Sequence, residues 1–217
     1  MKFDKRSLLL YAVTDRSWIG ENSLYQQVEA ALQGGTTFVQ LREKELDFDS
    51  FLDEALEIKE LCKEYRVPFV INDNVEIAIK SGAAGVHVGQ SDMELTEARK
   101  KLGDDRIIGV SVQNVEQAVL AEKNGADYLG VGAVFTTDTK TDADYVSYDM
   151  LKSICSAVKI PVVAIGGINE ENIEKLSGSG ICGVSVISAI FAQKDILGAA
   201  VRLKRRAEAL FGGSDTE

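Results

Sequence analysis

Eight short runs of apolar and β-branched residues recur along this 217-residue chain, each separated from the next by a longer segment of helical period. They are Leu8 to Val13, Thr37 to Leu41, Phe69 to Ile71, Gly85 to Val88, Ile107 to Val112, Tyr128 to Val134, Pro161 to Ile165 and Gly183 to Ile187. Strand-like runs alternating with helix-like segments are the signature of βαβ units around a parallel sheet. Within the intervening segments, Phe51, Leu52, Ala55, Leu56, Cys62 and Tyr65 keep one helical face apolar, and Ile196, Ala200, Leu203, Ala207 and Leu210 do the same near the end.

A weak internal repeat reinforces the count. Gly34-Gly35 precede Phe38-Val39, Ser81-Gly82-Ala83 precede Val86, Asn124-Gly125-Ala126 precede Tyr128 and Ser179-Gly180 precede Val184. Each glycine is placed to close a helix with a left-handed cap and turn the chain into the next even-numbered strand. Eight strands, eight helices and their connections need roughly 190 residues, so residues 1–217 accommodate one domain, an α/β fold of the single (β/α)8 TIM barrel type. An open doubly wound sheet is the structural rival, but it often carries a G-x-G-x-x-G loop after its first strand, and none follows Val13. No Pro/Ser-rich linker or low-complexity stretch marks a boundary.

The composition is ordinarily globular, 45% hydrophobic and 27% charged, with a formal net charge of −10. That charge argues against nucleic acid or an anionic membrane as the main partner, because both reward Lys and Arg patches. It leaves small anionic ligands open, since a cleft needs only a few local cations. No apolar run reaches the roughly 20 residues of a membrane span, and Met1 to Ser7 leads into Leu8 without a small-residue cleavage site. The expected location is cytoplasmic. Cys62, Cys155 and Cys182 are odd in number and widely separated, which suggests reduced core residues rather than a disulfide framework or a zinc site.

In a closed parallel barrel the chemistry sits at the carboxyl ends of the strands. The second run leads into Gln40, Arg42 and Lys44, the third into Asn72 and Asp73, the fourth into Gln90 and Asp92, and the fifth carries Ser111 and Gln113. Gln40, Arg42 and Lys44 alternate with Val39, Leu41 and Glu43, so a persisting strand puts the polar three on one face, toward the mouth; a frayed end would leave the two cations merely solvated. Asp73 and Asp92 come from neighbouring strand ends, about 5 Å apart in the ladder direction, within reach of one octahedral Mg2+. Asp92 is equally placed to cap a helix over Met93 to Lys101. The sixth run opens into a hydroxyl-rich loop with Thr137, Asp138, Thr139 and Lys140. Gly166-Gly167 and Ile187-Ser188 end the last two runs, where barrels frequently build a phosphate site, although paired glycines also serve ordinary tight turns. Two anion sites in one mouth imply two phosphorylated substrates. The one histidine, His87, lies inside its run, which favours a structural or supporting role, and Trp18 either shields the mouth or packs. No Ser/His/Asp or Cys/His arrangement assembles.

Taken together, Tyr11-Ala12-Val13-Thr14-Asp15, Gln40-Leu41-Arg42-Glu43-Lys44, Asn72-Asp73, Gly89-Gln90-Ser91-Asp92, Thr137-Asp138-Thr139-Lys140, Ile165-Gly166-Gly167-Ile168 and Val186-Ile187-Ser188-Ala189-Ile190 resemble the thiamine phosphate synthase family over nearly the whole chain. The resemblance implies a Mg2+-dependent transferase that joins an aminopyrimidine methyl pyrophosphate to a thiazole phosphate, or its carboxylated form, and releases pyrophosphate. It implies that Gln40, Arg42, Lys44, Asn72, Ser111 and Lys140 contact the pyrimidine pyrophosphate, with the Gln40 to Lys44 segment, Leu41 and Glu43 included, belonging to substrate binding. It assigns catalysis to Arg42, Lys44, Lys140 and Ser111 and the metal to Asp73 and Asp92. Thr137, Asp138, Thr139, Gly167, Ile187 and Ser188 would bind the thiazole phosphate. The expected chemistry is dissociative, with the thiazole nitrogen attacking a pyrimidine methyl cation. One departure is Thr136, where the family often has Pro. The rivals are a thiazole tautomerase-like isomerase, against which Arg42, Lys44, Asp73 and Asp92 argue together, a non-catalytic phosphate-ligand barrel, against which the completeness of the site argues, and a general sugar-phosphate enzyme, over which two anion sites and a metal favour the synthase. A homo-oligomer is compatible with the reading.

Overall fold

The computed structural model describes residues 4–20, 22–90, 95–136 and 145–212. Eight parallel strands close into a barrel in chain order: β1 (Leu10–Val13), β2 (Phe38–Leu41), β3 (Phe69–Asn72), β4 (Gly85–Val88), β5 (Ile107–Val112), β6 (Tyr128–Val131), β7 (Val162–Ile165) and β8 (Gly183–Val186). Closure is made by β8 on β1, with Leu10 opposite Val184 and Ala12 opposite Val186. Outside lie α1 (Leu24–Gln33), α2 (Phe48–Glu64), α3 (Val75–Ser81), α4 (Leu95–Leu102), α5 (Val115–Lys123), α6 (Tyr148–Ala157), α7 (Ser188–Phe191) and α8 (Ile196–Phe211). Between β7 and β8 a 3-10 turn, Ile173–Leu176, stands in place of a helix, and both α7 and α8 follow β8. Among the described residues no helix is long and apolar enough to cross a membrane.

Local chemistry explains the element starts. Ser23 caps α1 in a reciprocal box with Gln26, and the side chains of Asp47, Asn74, Asn114, Ser147 and Asp195 each accept an amide hydrogen bond from the first turn of the helix that follows. The repeated glycines turn as expected, Gly35, Gly82, Gly125 and Gly180 all having φ between 70° and 96°. β4 and β5 match their apolar runs and β3 runs on to Asn72, but the other strands are shorter than their runs. Leu8 ends a 3-10 turn, Lys5–Leu8, started by Asp4; β6 stops at Val131; and Ile187 leaves the extended region at φ −118°, ψ −84° to begin α7. The buried face of α2 also differs in part: Phe51, Ala55, Ile58, Leu61 and Cys62 are buried, whereas Leu56 and Tyr65 are exposed. Leu56 sits one residue, or 100°, beyond Ala55 on the helix, which takes it past the edge of the stripe.

Strand alternation produces two cores. Leu10, Ala12, Val39, Leu41, Ile71, Val86 and Val88 point outward to the helices, while Tyr11, Val13, Phe38, Val70, Tyr128 and Val163 fill the barrel interior with Leu8 beneath them. Inside, Tyr11, Phe38 and Tyr128 meet edge to face, with centroids 4.6 to 6.0 Å apart. At the amino-terminal end of the barrel, Arg99 on α4 donates to the carbonyls of Gly103, Arg106 and Gly125 and to Asp127 Oδ2, which also accepts from the Ile108 amide. One guanidinium thereby ties α4 to the entries of β5 and β6. The three thiols are free. Burial pushes Cys62 and Cys182 up to about 12 and Cys155 up to about 11, so all three stay protonated at neutral pH.

Interior space is tightly rationed at Gly109 on β5. A Cβ there would stand 2.1 Å from Tyr128 Cζ and 2.5 Å from His87 Nδ1, both on buried side chains. Gly109→Ala should therefore lower stability by about 1–3 kcal/mol, read as a loss in chemical-denaturation midpoint at unchanged slope.

Candidate active site

The carboxyl ends of the strands open into a cavity of about 560 Å3. Its β2–β3 side carries Gln40, Arg42, Lys44, Asn72 and Asp73; its β4–β5 side carries His87, Gln90, Ser111 and Gln113; its β7–β8 side carries Gly166, Gly167, Ile187 and Ser188. A neighbouring hollow of about 670 Å3 shares Lys44, Asn72 and Asp73 with it and extends between α2 and α3.

The cationic side is held from behind. β2 ends at Leu41, but the Arg42 amide donates to Thr14 Oγ1 at 2.9 Å and the Thr14 amide donates to the Gln40 carbonyl at 3.0 Å, which prolongs the pairing past the strand. Arg42 Nη1 lies 2.9 Å from Asp15 Oδ2. The next residue, Glu43, turns the other way and is buried; its Oε1 accepts the amides of Lys44, Glu45 and Leu46, and its Oε2 meets Arg16 Nε at 2.6 Å. Arg16 in turn forks onto both oxygens of Glu54 on α2. Burial alone would raise Glu43, but the Glu45 amide, the Arg16 guanidinium and the Lys44 amide together hold its carboxyl below the usual range. Leu41 is fully buried against the helices and lies outside the cavity lining.

Lys44 Nζ reaches Asp73 Oδ2 at 2.5 Å, and Asn72 Nδ2 donates to Asp73 Oδ1 at 2.9 Å. Asp73 has φ 61°, a left-handed conformation that Asp tolerates better than most residues, and its amide donates to the His87 carbonyl at 2.8 Å. The turn thus swings the carboxylate inward between Lys44 and Asn72. Carboxylate and amide oxygens are hard donors of the kind Mg2+ takes. Among the described residues no group of three or more His, Cys, Asp or Glu gathers at a metal-binding distance. Asp92 lies outside the described residues, as do Thr137, Asp138, Thr139 and Lys140.

On the opposite side, Gly166 and Gly167 have φ 100° and 65°, and a Cβ on Gly167 would stand 2.4 Å from the Thr136 carbonyl oxygen. Asn172 Nδ2 holds the Gly167 carbonyl at 2.8 Å. Ser188 begins α7, and Ile187 before it supplies no side-chain cap. The two ends are therefore different in kind: cationic side chains at β2–β3, backbone and hydroxyl at β7–β8. Trp18 is 42% exposed and does not line the cavity.

Several parts of the site carry no local sequence signal. Asp15, Arg16 and Glu54 support Arg42 and Glu43 from other elements, and a hydrogen-bonded row of Gln40, Tyr11, Tyr128, His87 and Ser111 crosses the barrel floor. The one available hint was strand alternation, which turns Tyr11 and Tyr128 inward.

A closed parallel barrel with polar side chains gathered at the carboxyl ends of its strands is the architecture of many enzymes. The comparisons with known proteins agree. The family described as Thiamine monophosphate synthase matches residues 10–190. A thiamine-phosphate synthase from Clostridium acetobutylicum is 52% identical, covering 86% of this chain and 89% of its own, and one from Ruminiclostridium cellulolyticum is 50% identical, covering 89% and 92%. The solved structure of thiamine phosphate pyrophosphorylase from Pyrococcus furiosus superposes with a TM-score of 0.89 at 37% identity, covering 96% of this chain and 99% of that one. The chain belongs to the thiamine monophosphate synthase family and is a transferase.

The anchoring of Glu43 has a pH consequence. A carboxylate whose folded pKa lies below its unfolded value contributes stability in full above the unfolded value, and loses it as pH falls through the folded one. Below about pH 4.5, the ordinary value for Glu43, melting temperature should therefore drop faster for the wild type than for Glu43→Gln, as measured by thermal unfolding across an acidic pH series.

Proposed function

We propose that this mouth performs the thiamine-phosphate synthase reaction, condensing an aminopyrimidine methyl pyrophosphate with a thiazole phosphate, or its carboxylated form, by dissociative substitution. The observation that carries the assignment of roles is the placement of two unlike anion-binding ends in one cavity, since a transferase with two phosphorylated substrates must keep them apart and still let their reacting atoms meet. The β2–β3 end takes the pyrophosphate. Arg42 and Lys44 stabilise the charge that grows on the leaving group, Ser111 and Gln40 donate hydrogen bonds toward the pyrimidine substrate, and Asn72 holds Asp73 in place. Lys140 adds a further cation from the loop after β6. The β7–β8 end, with Gly167, Ile187 and Ser188, seats the thiazole phosphate, joined by Thr137, Asp138 and Thr139.

Asp73 and Asp92 would hold Mg2+, and when bound the ion would supply neutralising charge to the pyrophosphate. The Lys44–Asp73 pair holds that carboxylate oriented in the meantime. No protein nucleophile is required, because the carbon–oxygen bond to pyrophosphate breaks first and the thiazole nitrogen then supplies the electron pair of the new carbon–nitrogen bond. Glu43 serves by fixing the turn that carries Lys44, rather than by touching substrate, and Leu41 serves by packing. We place the whole reaction in a single cytoplasmic domain spanning residues 1–217, consistent with three free thiols.

The test is an end-point assay of thiamine phosphate with both substrates and Mg2+, with chelator and single-substrate omissions as controls. Lys44→Ala and Asp73→Asn, the latter chosen because Asn tolerates the left-handed backbone, should each lose about 100-fold or more in kcat while circular dichroism remains unchanged. Near-normal turnover in either variant would overturn the pyrophosphate and metal assignments.

A further inference from the structure

We infer that His87 is a positioning residue, held as one neutral tautomer by a buried hydrogen-bond row from the barrel floor, and that it thereby makes the Ser111 hydroxyl a donor into the mouth. The kinetic half of this inference rests on the synthase reading; the tautomer does not.

The row is continuous. Gln40 Nε2 donates to the Tyr11 hydroxyl oxygen, which lies 2.8 Å from the Tyr128 hydroxyl; that hydroxyl lies 2.9 Å from His87 Nδ1, and His87 Nε2 lies 2.9 Å from Ser111 Oγ. Each hydroxyl has one proton to give. With Tyr11 accepting from Gln40, its proton passes to Tyr128, and the Tyr128 proton passes to His87 Nδ1. Chemistry favours the same sense, because a phenol is a good donor and a poor acceptor whereas a neutral imidazole nitrogen is a good acceptor. A neutral imidazole that accepts at Nδ1 carries its proton on Nε2. It therefore donates to Ser111, leaving the Ser111 proton to point at whatever occupies the cavity. The opposite tautomer would draw the serine proton toward the ring and turn oxygen lone pairs on an incoming anion.

Two further observations show that the fold is arranged around this row. Tyr11, Tyr128 and His87 are 1%, 0% and 8% exposed, and burial pushes both phenols up, so that they remain proton donors. The neighbouring interior positions are glycines: a Cβ on Gly109 would overlap Tyr128 and His87, and one on Gly130 would stand 3.1 Å from His87 Cε1. Ser111 itself sits opposite Gly130 in the β5–β6 register, which gives the imidazole a clear line to its hydroxyl.

The chain contains one histidine, so untagged protein labelled with 15N-histidine gives a single imidazole, and long-range proton–nitrogen correlation reads which nitrogen bears the proton. The expected result for the ligand-free protein is a neutral ring protonated at Nε2; a ring protonated at Nδ1, or an imidazolium, overturns the inference. Tyr128→Phe should move the ring toward the Nδ1 form, and an unchanged spectrum also overturns it. In turnover, Tyr128→Phe should lower kcat about tenfold without raising KM for the thiazole phosphate, and should have no further effect when added to Ser111→Ala; additive losses overturn the link to Ser111. His87→Gln, whose amide places a donor where Nε2 stands, should retain more activity than His87→Leu at similar melting temperatures. Failure of wild-type protein to make thiamine phosphate would strike the synthase reading and leave the tautomer result standing.

Discussion

The fixed cross-section of an eight-stranded closed barrel governs everything else in this molecule. Such a barrel is only wide enough to be filled by its own side chains, so every large inward residue must be matched by a small one nearby. Tyr11, Phe38 and Tyr128 take most of the lower interior, and Gly109 and Gly130 yield the room for Tyr128 and His87. Above that plug the inward positions become polar, and the cavity begins where the aromatic packing ends. The plug also seals the site from below, which lets a handful of polar groups act in surroundings of low dielectric.

Charge is organised on the same principle of local matching. A chain of net charge −10 presents cations at one end of its mouth because those cations are individually backed by carboxylates: Arg42 by Asp15 and Lys44 by Asp73. Glu43 is spent on the opposite purpose, tying the loop to Arg16 and through it to α2. An ion pair of this partly buried kind contributes little net stability by itself; its effect is to fix where a flexible Lys or Arg stands before an anion arrives.

Most of the fold was legible in the sequence because strand alternation and helical period are local properties. The eight apolar runs each mark a strand, β3 alone extending past its run to Asn72, and the outward placement of Val39 and Leu41 followed from alternation alone. Errors arose where a neighbour decides the outcome. Leu56 belongs to an apolar pattern but falls past the edge of the buried stripe of α2, and Tyr65, though in line with that stripe, caps the helix beyond its last residue, Glu64. Run ends such as Leu8 and Ile187 were claimed by a turn and a helix start, since apolar character does not distinguish a strand from the residues that lead into it. In the site, Gln40, Arg42, Lys44, Asn72, Asp73, Ser111, Gly167 and Ser188 could be picked out as strand-end residues, and they line one cavity. What could not be read were the partners: Arg16 reaches Glu43, and Glu54 reaches Arg16, from other elements, and the row through Tyr11 and Tyr128 requires five strands in register. Contacts of that kind exist only after closure.

Closure itself imposes an order of events on a chain made from its amino terminus. β1 finds β2 soon after both emerge, but its other edge waits for β8, since Leu10 pairs with Val184. Until β8 is free of the ribosome, an incomplete sheet carries two unpaired edges and an interior open to water, the condition that invites association with other chains. The enzyme's active mouth is assembled by the same late step, because Gly166, Gly167 and Ser188 adjoin the last two strands and line the cavity. The emergence of β8 thus converts a vulnerable nascent sheet into a sealed barrel and a competent site at once.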